Sequence, residues 1–276
     1  MTTRSKVYFA QTENREAFLQ QALERLGSEL KLTRGQKVFV KPSLVSYEPY
    51  PTTTHPLTLA RVLDFLLSLG CELVVGDGPA FDAGSAEDIV AHHPLQQVCQ
   101  ERGLKLLNLH EQPFKRVKTG KLSLEISALA FDCDFLISLP VLRPHRACGL
   151  TGALKNQFGF LRNRERILLH LGWKDLNRGI AELNQAVRPS FFIVDALESY
   201  QKAHERRHGG EPIKLGYLLA GRDPVALDCF GLELLKTVEA SLKHKKPEDI
   251  KQLAYAVELG LGSMEYEPVR LAISSA

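Results

Sequence analysis

Hydrophobic positions along this chain fall into two alternating patterns. The first is a series of short apolar runs: Val7–Ala10, Lys37–Val40, Glu72–Val75, Leu104–Leu107, Asp134–Leu139, Phe191–Val194, Gly216–Ala220 and Val269–Ile273. Each is rich in Val, Ile, Leu or Phe, and turn residues bound most of them. Continuous runs of this kind suit strands covered on both faces. The second pattern has a helical period. Phe18, Ala22, Leu26 and Leu30 set one apolar stripe on a helix over Glu13–Leu30. Pro56–Leu69 opens with Pro at a first helical position and stops at Gly70, and Asp223–Leu235 and Pro247–Leu259 read the same way.

Strand–helix–strand alternation over residues 1–276 predicts a single α/β domain. Its core is a doubly wound, mostly parallel sheet with helices on both faces. Phe114–Val117 and Leu122–Ile126, joined by Thr119-Gly120-Lys121, add a small antiparallel hairpin and make the sheet content mixed. The polar stretch Tyr200–Ile213, with Gly209-Gly210, predicts an exposed loop able to close over a site.

Composition narrows the function classes. At 276 residues, 44% hydrophobic and 24% charged, the chain is an ordinary globular protein. A formal net charge of +3 does not by itself imply a nucleic-acid partner, and the basic run Arg162–Arg166 lacks interleaved aromatics. Five scattered cysteines show no C-x-x-C pair, so neither a zinc nor an iron–sulfur ligand set is read from them. They fit a reducing, cytoplasmic setting without disulfides. Met1–Lys6 is not a signal peptide, and no apolar stretch is long enough to span a membrane.

In open parallel sheets, ligands bind outside the carboxyl ends of the strands. Polar or turn residues follow nearly every predicted strand here. Lys41 follows the second strand and can neutralise a phosphate or carboxylate. Ser43 comes two residues later. Thr54 or His55 can cap the Pro56 helix and leave N–H groups aimed at an anion; plain capping is the competing role. Asp77, in Gly76-Asp77-Gly78-Pro79, can take a hydroxyl, bind a metal, act as a base, or simply close an Asx turn. The densest segment is Arg143 to Asn156. Arg143, His145, Thr151, Lys155 and Asn156 stand there among Ala147, Gly149, Gly152 and Ala153, small residues that let a ligand approach the backbone. It is not a G-x-x-x-x-G-K-[ST] loop. A helix over residues 151–158 would put Thr151 and Lys155 on one face. Cys148 reads as a small core residue before it reads as a nucleophile. Asp223 is a natural N-cap, and Asp228 one turn on needs a partner such as Lys155 or Lys41. His55, His145, His170 and Asp77 are too far apart to show metal-ligand spacing, so no metal is assigned and the cofactor stays unknown.

Four ordered motifs carry a resemblance. They are Val40-Lys41-Pro42-Ser43-Leu44-Val45, Thr53-Thr54-His55-Pro56, Thr151-Gly152-Ala153-Leu154-Lys155-Asn156 with Phe158-Gly159, and Asp223-Pro224-Val225-Ala226-Leu227-Asp228. Together they resemble the family called domain of unknown function 362, over about residues 37–262. The resemblance implies no activity. Relatives fused to ferredoxin-like modules imply a redox protein as partner, but this chain lacks the cluster cysteines. Where the family has Asn after Lys-Pro, this chain has Ser43.

Two readings follow. In the first, a small anionic ligand is held by Lys41, Arg143 and Lys155 with Ser43, Thr54, His55, Thr151 and Asn156. His145 then moves a proton, and Asp77 or Asp228 orients a partner. In the second, the chain is a non-catalytic accessory that passes electrons or metal to a partner. Catalysis and homo-oligomerisation are left open.

Overall fold

The computed structural model describes residues 4–273. Among these described residues, twelve strands and eight helices follow one another. They begin with β1 (Ser5–Gln11), α1 (Arg15–Leu30), β2 (Lys37–Pro42), α2 (Pro56–Ser68) and β3 (Glu72–Asp77). Next come α3 (Ala86–His92), α4 (Pro94–Gln100), β4 (Leu106–Asn108), the β5 (Phe114–Lys118) and β6 (Ser123–Ser127) pair, and β7 (Phe135–Leu139). A second small pair, β8 (Arg143–His145) and β9 (Gly149–Thr151), precedes α5 (Asn163–His170) and α6 (Leu176–Val187). Last are β10 (Phe191–Gln201), β11 (Glu211–Gly221), α7 (Pro224–Leu235), α8 (Lys251–Glu258) and β12 (Tyr266–Arg270).

Eight strands form the main sheet in the order β12-β1-β11-β10-β7-β2-β3-β4. β11 runs against both its neighbours, and the other pairings in this sheet are parallel. The period-two geometry of a strand sorts side chains between two cores. Val38, Val40, Ile137, Leu139, Phe191 and Ile193 enter the core under α1, α2 and α4. Phe39, Leu136, Phe192 and Val194 enter the opposite core, under α6, α7 and α8. Each such fully buried side chain contributes about 1.5–3 kcal/mol. The predicted mixed, mostly parallel sheet with helices on both faces is the one observed, as is the antiparallel hairpin β5–β6.

Helix starts follow their capping residues. Asn14 accepts from Ala17 N at the start of α1, and both Val225 N and Ala226 N donate to Asp223 Oδ1 ahead of Pro224. Three expectations need correction. The last strand is Tyr266–Arg270 rather than Val269–Ile273. Residues 151–158 are not one helix: β9 ends at Thr151 and a 3-10 segment starts at Lys155. Tyr200–Ile213 is not a free loop. Its ends extend β10 and β11, and Tyr200, Ala203 and Glu205 are buried. Glu198, Ser199 and Gln201 give the stretch a polar look, yet Ser199 and Tyr200 are both buried in β10. Of the Met1–Lys6 stretch, residues 1–3 lie outside the described residues.

Candidate functional site

The chain runs from β2 to β3 to β4 in one direction, then returns to β7 on the other side of β2 and continues to β10. The sheet order therefore reverses between β2 and β7, which is where such sheets open a crevice. A cleft of about 330 Å³ lies there. Its walls come from the segments after β2 and β3, from the β8–β9 pair with the 3-10 turn behind it, from α5, and from the β10–β11 arm.

The floor is built on Lys41 and Asp77, the last residues but one and last of neighbouring strands. Lys41 Nζ sits 2.6 Å from Asp77 Oδ1, fully buried, and also donates to Pro42 O. Asp77 accepts further from Leu44 N at 2.7 Å and Gly78 N at 2.8 Å. Lys41 is thus occupied by a carboxylate, and Asp77 by a cation and two amides. Asn156 ties this floor to β7: its Nδ2 donates to Ser138 Oγ at 2.9 Å and to Lys41 O at 3.3 Å. Arg166 braces the back by donating to Pro79 O, Gly78 O and Leu161 O.

Ser43, Arg143, His145, Thr151, Lys155 and Asn156 come together on the cleft wall, with Asp77 at its floor. The hydroxyls of Ser43 and Thr151 make no hydrogen bond to any described residue. Arg143 donates to His204 O at 2.9 Å and keeps a loose 3.8 Å approach to Glu205, while its Nε is buried without a partner. Lys155 forms no salt bridge with any described residue; its Nζ lies over the Phe158 ring at 4.7 Å. Burial, together with Arg143 and Arg166, holds its ammonium below the usual lysine range.

Two cleft histidines take opposite tautomers. Ala147 N donates to His145 Nδ1 at 3.2 Å, so a neutral His145 carries its proton on Nε2. His170 Nδ1 is 2.9 Å from Arg166 O, which can only accept, so a neutral His170 has a bare Nε2. Burial first, then Lys155, keeps both imidazoles below their usual range and hence neutral near pH 7. One offers a donor and the other an acceptor, with ring centres 6.4 Å apart.

Besides Lys41, which is buried beneath the floor, three sequence candidates lie outside this wall. Thr54 donates to Leu139 O and accepts from Ser43 N, pinning the β2 exit to β7. His55 caps α2 by accepting from Leu57 N and faces Tyr50, in a separate buried cluster where Arg15 and the Tyr50 hydroxyl both bind Asp195. Asp228 is satisfied by the amides of Ala153 and Leu154, at 2.6 and 3.0 Å, not by a lysine. Burial pushes it up to about 7 despite those donors. Cys148 is buried with its thiol pushed up to about 12, which leaves it protonated and unsuited to nucleophilic attack.

Residues 38–233 match the family described as Domain of unknown function (DUF362). The chain belongs to that family. A relative named Thylakoid-associated protein, from Synechocystis sp., is 27% identical over 233 residues, 82% of this chain and 71% of that protein. Among solved structures, the lactate racemase apoprotein from Thermoanaerobacterium thermosaccharolyticum aligns with a TM-score of 0.53 at 14% identity. That alignment covers 86% of this chain, which spans 58% of the racemase chain, and the likeness is one of fold. In this DUF362 chain no helix among the described residues is long and apolar enough to cross a membrane, and all five cysteines are free thiols.

Several wall residues were not evident from the sequence. Arg166 belongs to the basic run Arg162–Arg166, of which Arg162 and Arg164 are exposed while Arg166 is buried against the cleft. His204, Glu205, Arg207 and His208 were assigned to a loop. Their signal was the spacing His204-Glu205-Arg206-Arg207-His208.

Proposed function

We propose that this chain binds a small ligand bearing a phosphate or carboxylate in the cleft beyond β2, β3 and β7. The observation that carries the reading is Lys155: a half-buried ammonium beside Arg143 and Arg166 with no anionic partner among the described residues. Five basic side chains line the cleft against three acidic ones, and the acids are already engaged by Lys41, Arg207 and their neighbours. An anion entering here relieves repulsion among cations that the fold has already desolvated. Ser43, Thr151 and Asn156 supply polar edges for its oxygens. Lys41, Asp77, Thr54, His55 and Asp228 act as positioning residues for the loops that carry the contacts.

The same cleft is equipped for acid–base chemistry on the bound ligand. His145 Nε2–H can hydrogen-bond a ligand oxygen, and His170 Nε2 can accept a proton, becoming an imidazolium beside the anion. The five free thiols support a reducing, cytoplasmic setting.

Isothermal titration with inorganic phosphate and a panel of small mono- and dicarboxylates tests the reading. We expect at least one probe to bind, and Lys155→Gln to weaken it roughly tenfold or more, the scale of one charge-assisted hydrogen bond. No binding by any probe at millimolar concentration, or binding indifferent to Lys155→Gln, would overturn it.

A further inference from the structure

The β10–β11 arm carries a feature that anion binding does not use. His204, Glu205 and His208 place one nitrogen or carboxylate oxygen each within 4.8 Å of one another. The chain achieves this with one tight turn. His208 N and Gly210 N both donate to Glu205 O, at 3.1 and 2.8 Å, and Gly209 takes a left-handed φ of 85° that closes the turn. A Cβ on Gly210 would sit 2.7 Å from Glu205 O, so the return path needs glycine there too.

From these positions we infer a divalent transition-metal site at His204, Glu205 and His208, on the rim of the cleft. Three observations support it. First, His204 is largely enclosed, yet its Nδ1 is buried without a hydrogen-bond partner and its Nε2 approaches only Glu205 Oε1, at 3.5 Å. A largely enclosed imidazole with neither nitrogen hydrogen-bonded is uncommon unless a ligand meets it. Second, Glu205 is 3% exposed and oriented from behind: Arg207 Nε holds Oε2, leaving Oε1 on the His204 side. Fixing a ligating carboxylate through its second oxygen is a common outer-sphere arrangement. Third, Asp82 Oδ2 lies 3.5 Å from His208 Nε2 and is held by Arg207, so it can orient that ring in the same way.

The sequence spacing H-E-x-x-H occurs in helical zinc sites, where the Glu is a general base. Here the segment is one 3-10 turn, Arg206–His208, and Glu205 is engaged by Arg207. The arrangement suits a bound metal rather than that hydrolytic machinery. Donor chemistry selects the class. Two imidazoles and one carboxylate suit zinc, cobalt or nickel; magnesium and calcium need oxygen-rich shells that this rim lacks. Arg143 and Arg207 nearby further disfavour cations bound by charge alone. His145 lies against His204 with ring centres 4.7 Å apart, and all three metal-ligating residues line the same cleft, so a metal here would sit beside the anion-binding wall.

The test uses the full chain, stripped with a chelator and titrated with Zn²⁺ or Co²⁺ alone. Binding is read by calorimetry, by retained metal after dialysis, and by the visible bands of bound cobalt. We expect one equivalent of metal and cobalt bands of low-symmetry coordination. His208→Ala, at a half-exposed position whose loss leaves the core intact, should lower affinity roughly tenfold or more, and Glu205→Gln likewise. His244→Ala, on an exposed histidine outside this cluster, should leave it unchanged. Absence of binding, or binding that survives His208→Ala, or binding equally lost in His244→Ala, would overturn the site.

Discussion

Lys41 and Asp77, carried by adjacent parallel strands, close a buried 2.6 Å ion pair directly under the cleft. The pair links the exits of β2 and β3 and shapes the loops that follow. Removing one partner leaves a buried charge unopposed. Asp77→Ala should therefore destabilise the fold by about 3–5 kcal/mol in urea denaturation. A double replacement, Lys41→Met with Asp77→Leu, should lose less than Asp77→Ala alone, because no orphan ammonium remains. Equal losses would mean that the two amides on Asp77, not the ion pair, dominate its role.

Gly159 explains why the chain passes so close to that pair. A Cβ there would overlap Asp77 Oδ1 and come within 2.8 Å of Lys41 Nζ, and at Gly152 it would overlap Asp228 Oδ1. Neither glycine has a positive φ in this fold, so the restriction is one of space. Gly159→Ala and Gly152→Ala should each cost about 1–3 kcal/mol or more, measured by thermal unfolding. Gly84→Ala, with open space around its Cβ but a φ of 106°, separates strain from overlap as a control.

Lys155 predicts a trade between stability and binding. Its ammonium is partly desolvated, has cationic neighbours and lacks a salt bridge, so it destabilises the ligand-free fold. Lys155→Met should raise stability by about 1 kcal/mol, or roughly 2–4 °C in melting temperature, while weakening phosphate or carboxylate binding. A melting temperature that falls would show that the lysine is structural.

His93 lies far from the cleft and gives a clean acid response. It caps α4 by accepting from Leu95 N through Nδ1, and burial pushes it down to about 4. The unfolded chain then binds a proton near pH 6.5 that the folded chain refuses. The stability this group contributes is complete above pH 6.5 and is lost as pH falls towards 4, by at most about 3 kcal/mol. His93→Asn keeps a capping acceptor without the titration. Its stability should fall less steeply over that window, as read from denaturation midpoints at stepped pH.

Much of this protein was legible before any tertiary contact was known. The buried strands announced themselves because a parallel strand covered on both faces must be apolar throughout, as Val38–Val40 and Phe191–Val194 are. Helix starts at Pro56 and Pro224 were written in local capping chemistry. The grouping of Arg143, His145, Thr151 and Lys155 followed from their nearness in sequence. Helix α6 was not read from the sequence, although Leu176, Ile180, Leu183 and Val187 keep a helical period.

Pairings across the sheet needed the fold. Nothing local to Lys41 or Asp77, 36 residues apart, says that each satisfies the other. Asp228 takes the amides of Ala153 and Leu154 from 75 and 74 residues away, so only the fold shows that it is not a lysine's partner. Thr54 and His55 looked like ligand contacts because capping and anion binding use the same atoms. Arg166, His170 and His204 reach the cleft wall only because α5 and the β10–β11 arm pack there. Sequence determines which side chains are apolar, capping or ionisable, since those properties are local. Which charges cancel and which are left facing a ligand depends on distance through space, and that the tertiary structure decided.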